Sequence, residues 1–171
     1  RRVLLTGHTG FKGAWLAAWL HRMGAEVTGY ALAPQTDPNL WSLLDLPGVR
    51  SVIADLNDRA ALDRTISEAR PEVILHLAAQ ALVRRSYRTP VETFATNVTG
   101  TVNLMDAARA CPDLRAIVIV TSDKCYDNRE QIWGFRETDP MGGRDPYSAS
   151  KGATEIAAAA MAASYFAPHG G

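Results

Sequence analysis

Cysteine is scarce here: Cys111 and Cys125 are two in 171 residues, and their spacing suits no metal site. A disulfide-built secreted scaffold and a cysteine zinc module are both excluded, and the expectation is two reduced thiols in a cytoplasmic protein. A surplus of one charge is also missing, because 18 Lys and Arg balance 18 Asp and Glu. No global field draws the chain to nucleic acid or to an anionic membrane, so neither is expected as a partner. No apolar run approaches the roughly 20 residues that span a bilayer. No charged leader precedes a long apolar stretch, although Arg1 is not an initiator methionine and a lost leader stays open. Internal repeats and low-complexity linkers are absent as well.

What is present is an ordinary apolar fraction, 47%, in a chain long enough for one domain over residues 1–171. Apolar segments of strand and helix character alternate along it. Arg2–Thr6 reads as a strand, and Phe11–Arg22 as an amphipathic helix closed by Gly24. Glu26–Leu32 reads as a strand, followed by a short helix near Leu40–Leu44 and a strand at Val49–Ala54. Asp58 caps a helix to about Ala69, which Pro71 stops. Glu72–Leu77 is apolar enough to be a strand covered on both faces. Thr89-Pro90-Val91-Glu92 has the form of a capping box and opens a helix to about Ala110. Leu114–Val120 is the fifth strand, and Asp145-Pro146 starts an alanine-rich helix to about Ser164.

This order predicts an α/β fold with a doubly wound parallel sheet of the Rossmann type, strand order 3-2-1-4-5. A final helix without a following strand suggests the N-terminal part of a longer protein, cut before a substrate domain.

The chemistry begins in the loop after the first strand, Gly7-His8-Thr9-Gly10-Phe11-Lys12-Gly13. Gly7 permits the tight turn, Gly10 lets backbone approach a pyrophosphate, and Gly13 lets the helix pack closely. The helix N-terminus then offers N–H groups and partial positive charge to the phosphates. The second strand ends Gly29-Tyr30-Ala31-Leu32 without the carboxylate that usually binds the NAD ribose. Lys12 is a weak argument for NADP, and Asp55-Leu56 is placed to receive the adenine. His8 serves either the cofactor or the packing.

Tyr147 and Lys151, four apart at a helix start, share a face. An ammonium beside a phenol favours the phenolate, so Tyr147 is a candidate general base. Ser122, at the carboxyl end of the fifth strand, can orient a substrate oxygen toward it. Arg84, Arg85, Ser86 and Tyr87 follow the fourth strand and are either substrate contacts or a solvated helix start. Trp133, Phe135 and Arg136 lie in a long loop.

With these residues in place the chain resembles the extended short-chain dehydrogenase/reductase family. The resemblance rests on the glycine loop, His76-Leu77-Ala78-Ala79-Gln80, and the Ser122/Tyr147/Lys151 set. Four stretches match in order those of its CDP-glucose 4,6-dehydratases: the glycine loop, Leu82–Tyr87, Thr121–Asn128 and Pro140–Tyr147. The resemblance implies a tightly held NAD, with NADP second, bound by Gly7 to Gly13, Asp55, Leu56, Leu77, Ala78, Ala79, Gln80, Asn97, Thr121, Tyr147 and Lys151. It implies a nucleotide-sugar substrate met by Arg84, Ser86, Tyr87 and Ser122. It also implies a homodimer through helices 90–110 and 146–164.

In the implied reaction Tyr147 takes the 4-hydroxyl proton, and the resulting ketone acidifies C5–H. Asp123 is the acid for the departing 6-hydroxyl, and Lys124 stands where related dehydratases carry a glutamate base. Burial and the Lys151 cation would lower the Lys124 pKa, whereas Asp123 would raise it. The other readings are a nucleotide-sugar epimerase, a dehydratase of a dTDP- or GDP-sugar, and a non-catalytic NAD(P) binder. The Asp123-Lys124 pair speaks against the first two, and the intact Tyr147 and Lys151 against the third.

Overall fold

The computed structural model describes residues 1–166. They form two compact units, each made of two chain segments. The first unit comprises residues 1–78 and 106–120, the second 79–105 and 121 onward.

The first unit is a five-stranded sheet of β1 (Arg2–Thr6), β2 (Glu26–Ala31), β3 (Arg50–Ile53), β4 (Val73–His76) and β5 (Ala116–Ile119). Every pairing is parallel and the order is β3-β2-β1-β4-β5, as expected. β1 has the bounds read from the sequence, and the other strands differ from that reading by one or two residues at one end or both. Residues alternate between the two faces. Leu5, Val27, Leu75 and Leu77 meet Leu16, Ala17 and Leu20 of α1 (Phe11–Arg22), with Trp41 of α2 (Leu40–Leu44) at the margin. Leu4 and Ile74, fully buried, turn to the opposite face, where α3 (Arg59–Ala69) brings the fully buried Leu62. Each such leucine stabilises the fold by about 2 kcal/mol.

The chain punctuation acts as its chemistry dictates. Asp58 accepts a hydrogen bond from the Ala61 amide at 3.0 Å and starts α3. Arg70, at φ +43°, ends it one residue before Pro71. Gly24, at φ +79°, terminates α1 in a conformation that glycine adopts without strain.

The second unit is helical. It holds α4 (Val83–Arg88), α5 (Pro90–Phe94), a π-helical turn at Ala95–Thr99, the start of α6 (Gly100–Ala108), a 3₁₀ turn at Asp123–Cys125, and α7 (Pro146–Met161). The helix expected over 90–110 is therefore interrupted by a wide turn. The capping box expected at Thr89 is not formed. Thr89 also ends α4, and its hydroxyl turns back to donate to the Arg85 carbonyl at 3.3 Å. Glu92, its would-be partner, pairs instead with the Arg85 guanidinium at 2.5 Å.

Candidate active site

The phosphate cradle is built in the first unit. Gly7 sits at φ +78°, and a Cβ there would lie 2.8 Å from the Ala78 nitrogen. At Gly13 a Cβ would lie 2.0 Å from the Gly7 carbonyl, so this glycine lets α1 close onto the loop itself rather than onto the sheet. The N-cap of α1 is Gly10, without a side-chain cap and with no acidic residue in the first turn. An uncapped helix start behind a glycine turn leaves N–H groups and positive dipole for an anion, so these residues fit a bound pyrophosphate. Phe11 and Lys12 are exposed on that turn. Thr9 donates to the Leu32 carbonyl at 2.8 Å.

Two residues that the sequence reading missed shape the neighbouring segments. The Thr6 hydroxyl accepts from the Leu77 and Ala78 amides, both at 3.1 Å, and holds that turn against the end of β1. Tyr30, fully buried, donates its hydroxyl to the Asp55 carbonyl at 2.6 Å. Burial pushes this phenol up to about 12, so it remains a donor. The Asp55 carboxylate accepts from the Asn57 amide at 2.8 Å, and Leu56 is buried beside it. The signal for Tyr30 was available: a tyrosine occupies the strand end where a carboxylate was sought. His8 is fully buried, with its ring edge-on to Trp41, and serves the core through its side chain.

The chemical groups gather in the second unit. Tyr147, Lys151 and Glu155 follow at i, i+4 and i+8 along one side of α7. Tyr147 and Lys151 are only 9% and 5% exposed. Burial brings the Lys151 ammonium down to about 8, partly opposed by Glu155. Glu155 accepts a hydrogen bond from Thr121 and ties the segment after β5 to α7; the sequence reading missed it. Ser122 caps the 3₁₀ turn, accepting from the Lys124 amide at 3.2 Å and donating to the Asp123 carboxylate at 3.0 Å. The three candidates Ser122, Asp123 and Lys124 thus share one tight turn. Lys124 is exposed, so the burial expected of it is not found. Burial raises the Cys125 pKa, which makes it a poor nucleophile.

Asn97 lies in the π turn, a type of distortion that often marks functional sites. Its carboxamide oxygen accepts from the Gln80 amide at 2.8 Å, and its nitrogen donates to the Gln80 carbonyl at 3.1 Å and the Ser150 hydroxyl at 2.8 Å. Its carbonyl receives the hydroxyls of Thr101 and Thr154. Gln80 in turn binds Thr93 at 3.0 Å. Asn97 and Gln80 therefore fix α7 and the Ala79-Gln80 segment through buried contacts. Arg84 and Tyr87 are exposed on α4, whereas Ser86 is fully buried. Among the described residues no cluster of His, Cys, Asp or Glu could hold a metal ion, and no helix is long and apolar enough to cross a membrane.

Known proteins resemble this chain in sequence and in fold. A family model described as GDP-mannose 4,6 dehydratase matches residues 4–169. A CDP-glucose 4,6-dehydratase of Salmonella typhimurium is 52% identical over 98% of this chain and 47% of its own length. A probable UDP-glucuronate 4-epimerase of Rhizobium meliloti is 36% identical over 98% of this chain and 50% of that protein. Among solved structures, the dTDP-glucose 4,6-dehydratase DesIV of Streptomyces venezuelae, determined with NAD bound, superposes with a TM-score of 0.86 at 27% identity, covering 97% of this chain and 53% of that one. The chain spans about half the length of the curated relatives it matches. A match over nearly every residue places the chain in the GDP-mannose 4,6 dehydratase family, within the extended short-chain dehydrogenases/reductases.

Proposed function

We propose that this protein dehydrates a nucleotide sugar, converting CDP-glucose to CDP-4-keto-6-deoxyglucose with NAD. The observation that carries the reading is the α7 face, where a buried Tyr147 and Lys151 stand one turn apart. The 52% identical dehydratase supports the choice of sugar nucleotide. NAD, when bound, would supply the hydride acceptor for the sugar C4 and the hydride source for C6. Gly7, Thr9, Gly10, Phe11, Lys12, Gly13 and the His8 backbone would hold its pyrophosphate. Asp55 and Leu56 would receive its adenine, with Leu77, Ala78, Ala79, Gln80, Thr121, Tyr147 and Lys151 holding the remainder. Asn97 acts by supporting Gln80.

Tyr147 removes the 4-hydroxyl proton while Ser122, its hydroxyl turned from the Asp123 carboxylate to the sugar, orients that oxygen. Lys151, titrating near 8, supplies a cation close to neutral pH that favours the tyrosinate. In its neutral amine form Lys124 takes the C5 proton of the ketone, and in its protonated form Asp123 gives a proton to the departing 6-hydroxyl. The balance is loss of one water with no net oxidation. Arg84 and Tyr87, exposed on α4, bind the substrate. The protein pairs as a homodimer through helices 90–110 and 146–164, where Val91 and Ile156 are exposed. Its two free cysteines suit the cytoplasm.

The test incubates the full-length protein separately with CDP-glucose, dTDP-glucose and GDP-mannose, without added reductant, and reads product masses. The expected result is loss of one water from CDP-glucose alone. An unchanged mass with inverted C4 stereochemistry would identify an epimerase. No change in any sugar, with NAD bound, would identify a non-catalytic binder.

A further inference from the structure

The first turn of α7 carries the residue on which the proposed chemistry depends, and its backbone donors can be followed one by one. Helix starts leave N–H groups without intrahelical partners. Pro146, the first residue, has no N–H to satisfy. The Ser148 amide donates to the Asp145 carboxylate at 3.0 Å, and the Ala149 amide to the Asp145 carbonyl at 2.9 Å. Asp145 also receives the Ser148 hydroxyl at 2.6 Å. The helix's own cap therefore serves every donor of this turn except the amide of Tyr147. That amide donates to the hydroxyl oxygen of Ser86, at 3.1 Å.

Ser86 is placed for this task and for little else. It is fully buried, on the inner side of α4. Its single hydroxyl hydrogen is given to the Val83 carbonyl at 2.7 Å, which aims an oxygen lone pair at the Tyr147 amide. A hydroxyl so committed has no hydrogen left for a sugar. The exposed Arg84 and Tyr87 lie on the same short helix. Ser86 thereby joins the element that carries the substrate contacts to the backbone of the tyrosine.

We infer that Ser86 is a positioning residue: through the Tyr147 amide it fixes where the phenol stands and couples α4 to it. The inference rests on Tyr147 being the acid–base group, and its tests separate the two ideas.

Amide hydrogen exchange of the unaltered protein examines the clamp without any substitution. The Tyr147 amide is expected to exchange at least about tenfold more slowly than an unstructured amide of the same local sequence, since a buried donor with a partner opens rarely. Exchange at the rate of an exposed amide would overturn the inference, whatever Tyr147 does in catalysis.

Ser86→Ala in the full-length protein then tests the consequence. Losing one hydrogen bond to a positioned group predicts a fall in kcat of about three- to tenfold with KM unchanged. In a Tyr147→Phe background the same change should lower the residual rate no further. A raised KM at unaltered kcat would make Ser86 a substrate contact and overturn the inference. An equal loss in both backgrounds would reduce it to general packing, with the same effect. Undiminished turnover in Tyr147→Phe alone would instead sink the acid–base reading, and the exchange result would still decide the clamp. Should Ser86→Ala fail to fold, Ser86→Cys keeps a side chain of the same shape, slightly larger and with a weaker acceptor, and is expected to give the same pattern.

Discussion

His8 shows how one side chain can be legible by position and open in role. Its place in the glycine loop allows a cofactor contact or packing, and its ring points into the core. Its Nε2 lies 2.7 Å from the Ser51 hydroxyl, and its ring meets Trp41 edge-on at 4.6 Å. Gly29 of β2 is there because a Cβ would come within 2.4 Å of that ring. Residues 8, 29, 41 and 51 follow no periodic pattern, so only the folded sheet brings them together. Burial lowers the His8 pKa to about 4, below its ordinary value of 6.5. Between those two values the unfolded chain binds a proton that the folded chain refuses, so stability must fall as pH drops from about 6.5 toward 4. The loss should reach about 3 kcal/mol and level off below 4. Urea denaturation at stepped pH measures it, and His8→Asn, which does not titrate there, should flatten that part of the curve.

At the scale of elements, the signals that worked were local ones. Asp58 and the Asp145-Pro146 pair start α3 and α7 where their chemistry predicts, and Gly24 ends α1. The signal that failed was also local: Thr89-Pro-Val-Glu has the form of a capping box, but α4 uses Thr89 first. The π turn at 95–99 was invisible because its reason is tertiary. It aims Asn97 at Ser150, 53 residues away, and at Gln80. Such a network is costly to break, since the partners left behind remain buried. Asn97→Ala should therefore destabilise the protein by about 2–3 kcal/mol, leaving the Gln80 amide without its acceptor. The informative comparison is with Asn97→Asp, which keeps that acceptor but sets a buried carboxylate oxygen against the Gln80 carbonyl, and should cost at least as much. Equal melting temperatures for Asn97→Ala and the parent would mean that this network does not hold α7.

For the whole molecule, the strand order follows from alternating strands and helices and from right-handed crossovers, so topology was readable from the order of elements alone. Surface left apolar was less so, because periodicity marks a helix face as amphipathic without saying which apolar residues stay wet. Phe11, Trp15, Trp19 and Met23 recur every four residues along α1 and are exposed, the tryptophans by 55% and 66%. Val118 and Val120 of the β5 segment are exposed too. Val118 pairs in register with Leu75, which packs on the α1 side of the sheet, so these valines face the same side as α1. Apolar surface of this extent on a chain with zero net charge has little repulsion to keep copies apart. The 171-residue chain should therefore form concentration-dependent species larger than a dimer, and sulfate should favour them. Replacing Trp15 and Trp19 together by lysine should remove these species and leave any dimer built on helices 90–110 and 146–164 intact. Sedimentation velocity distinguishes the outcomes: larger species that persist unchanged in the double variant would place the sticky surface elsewhere on the molecule.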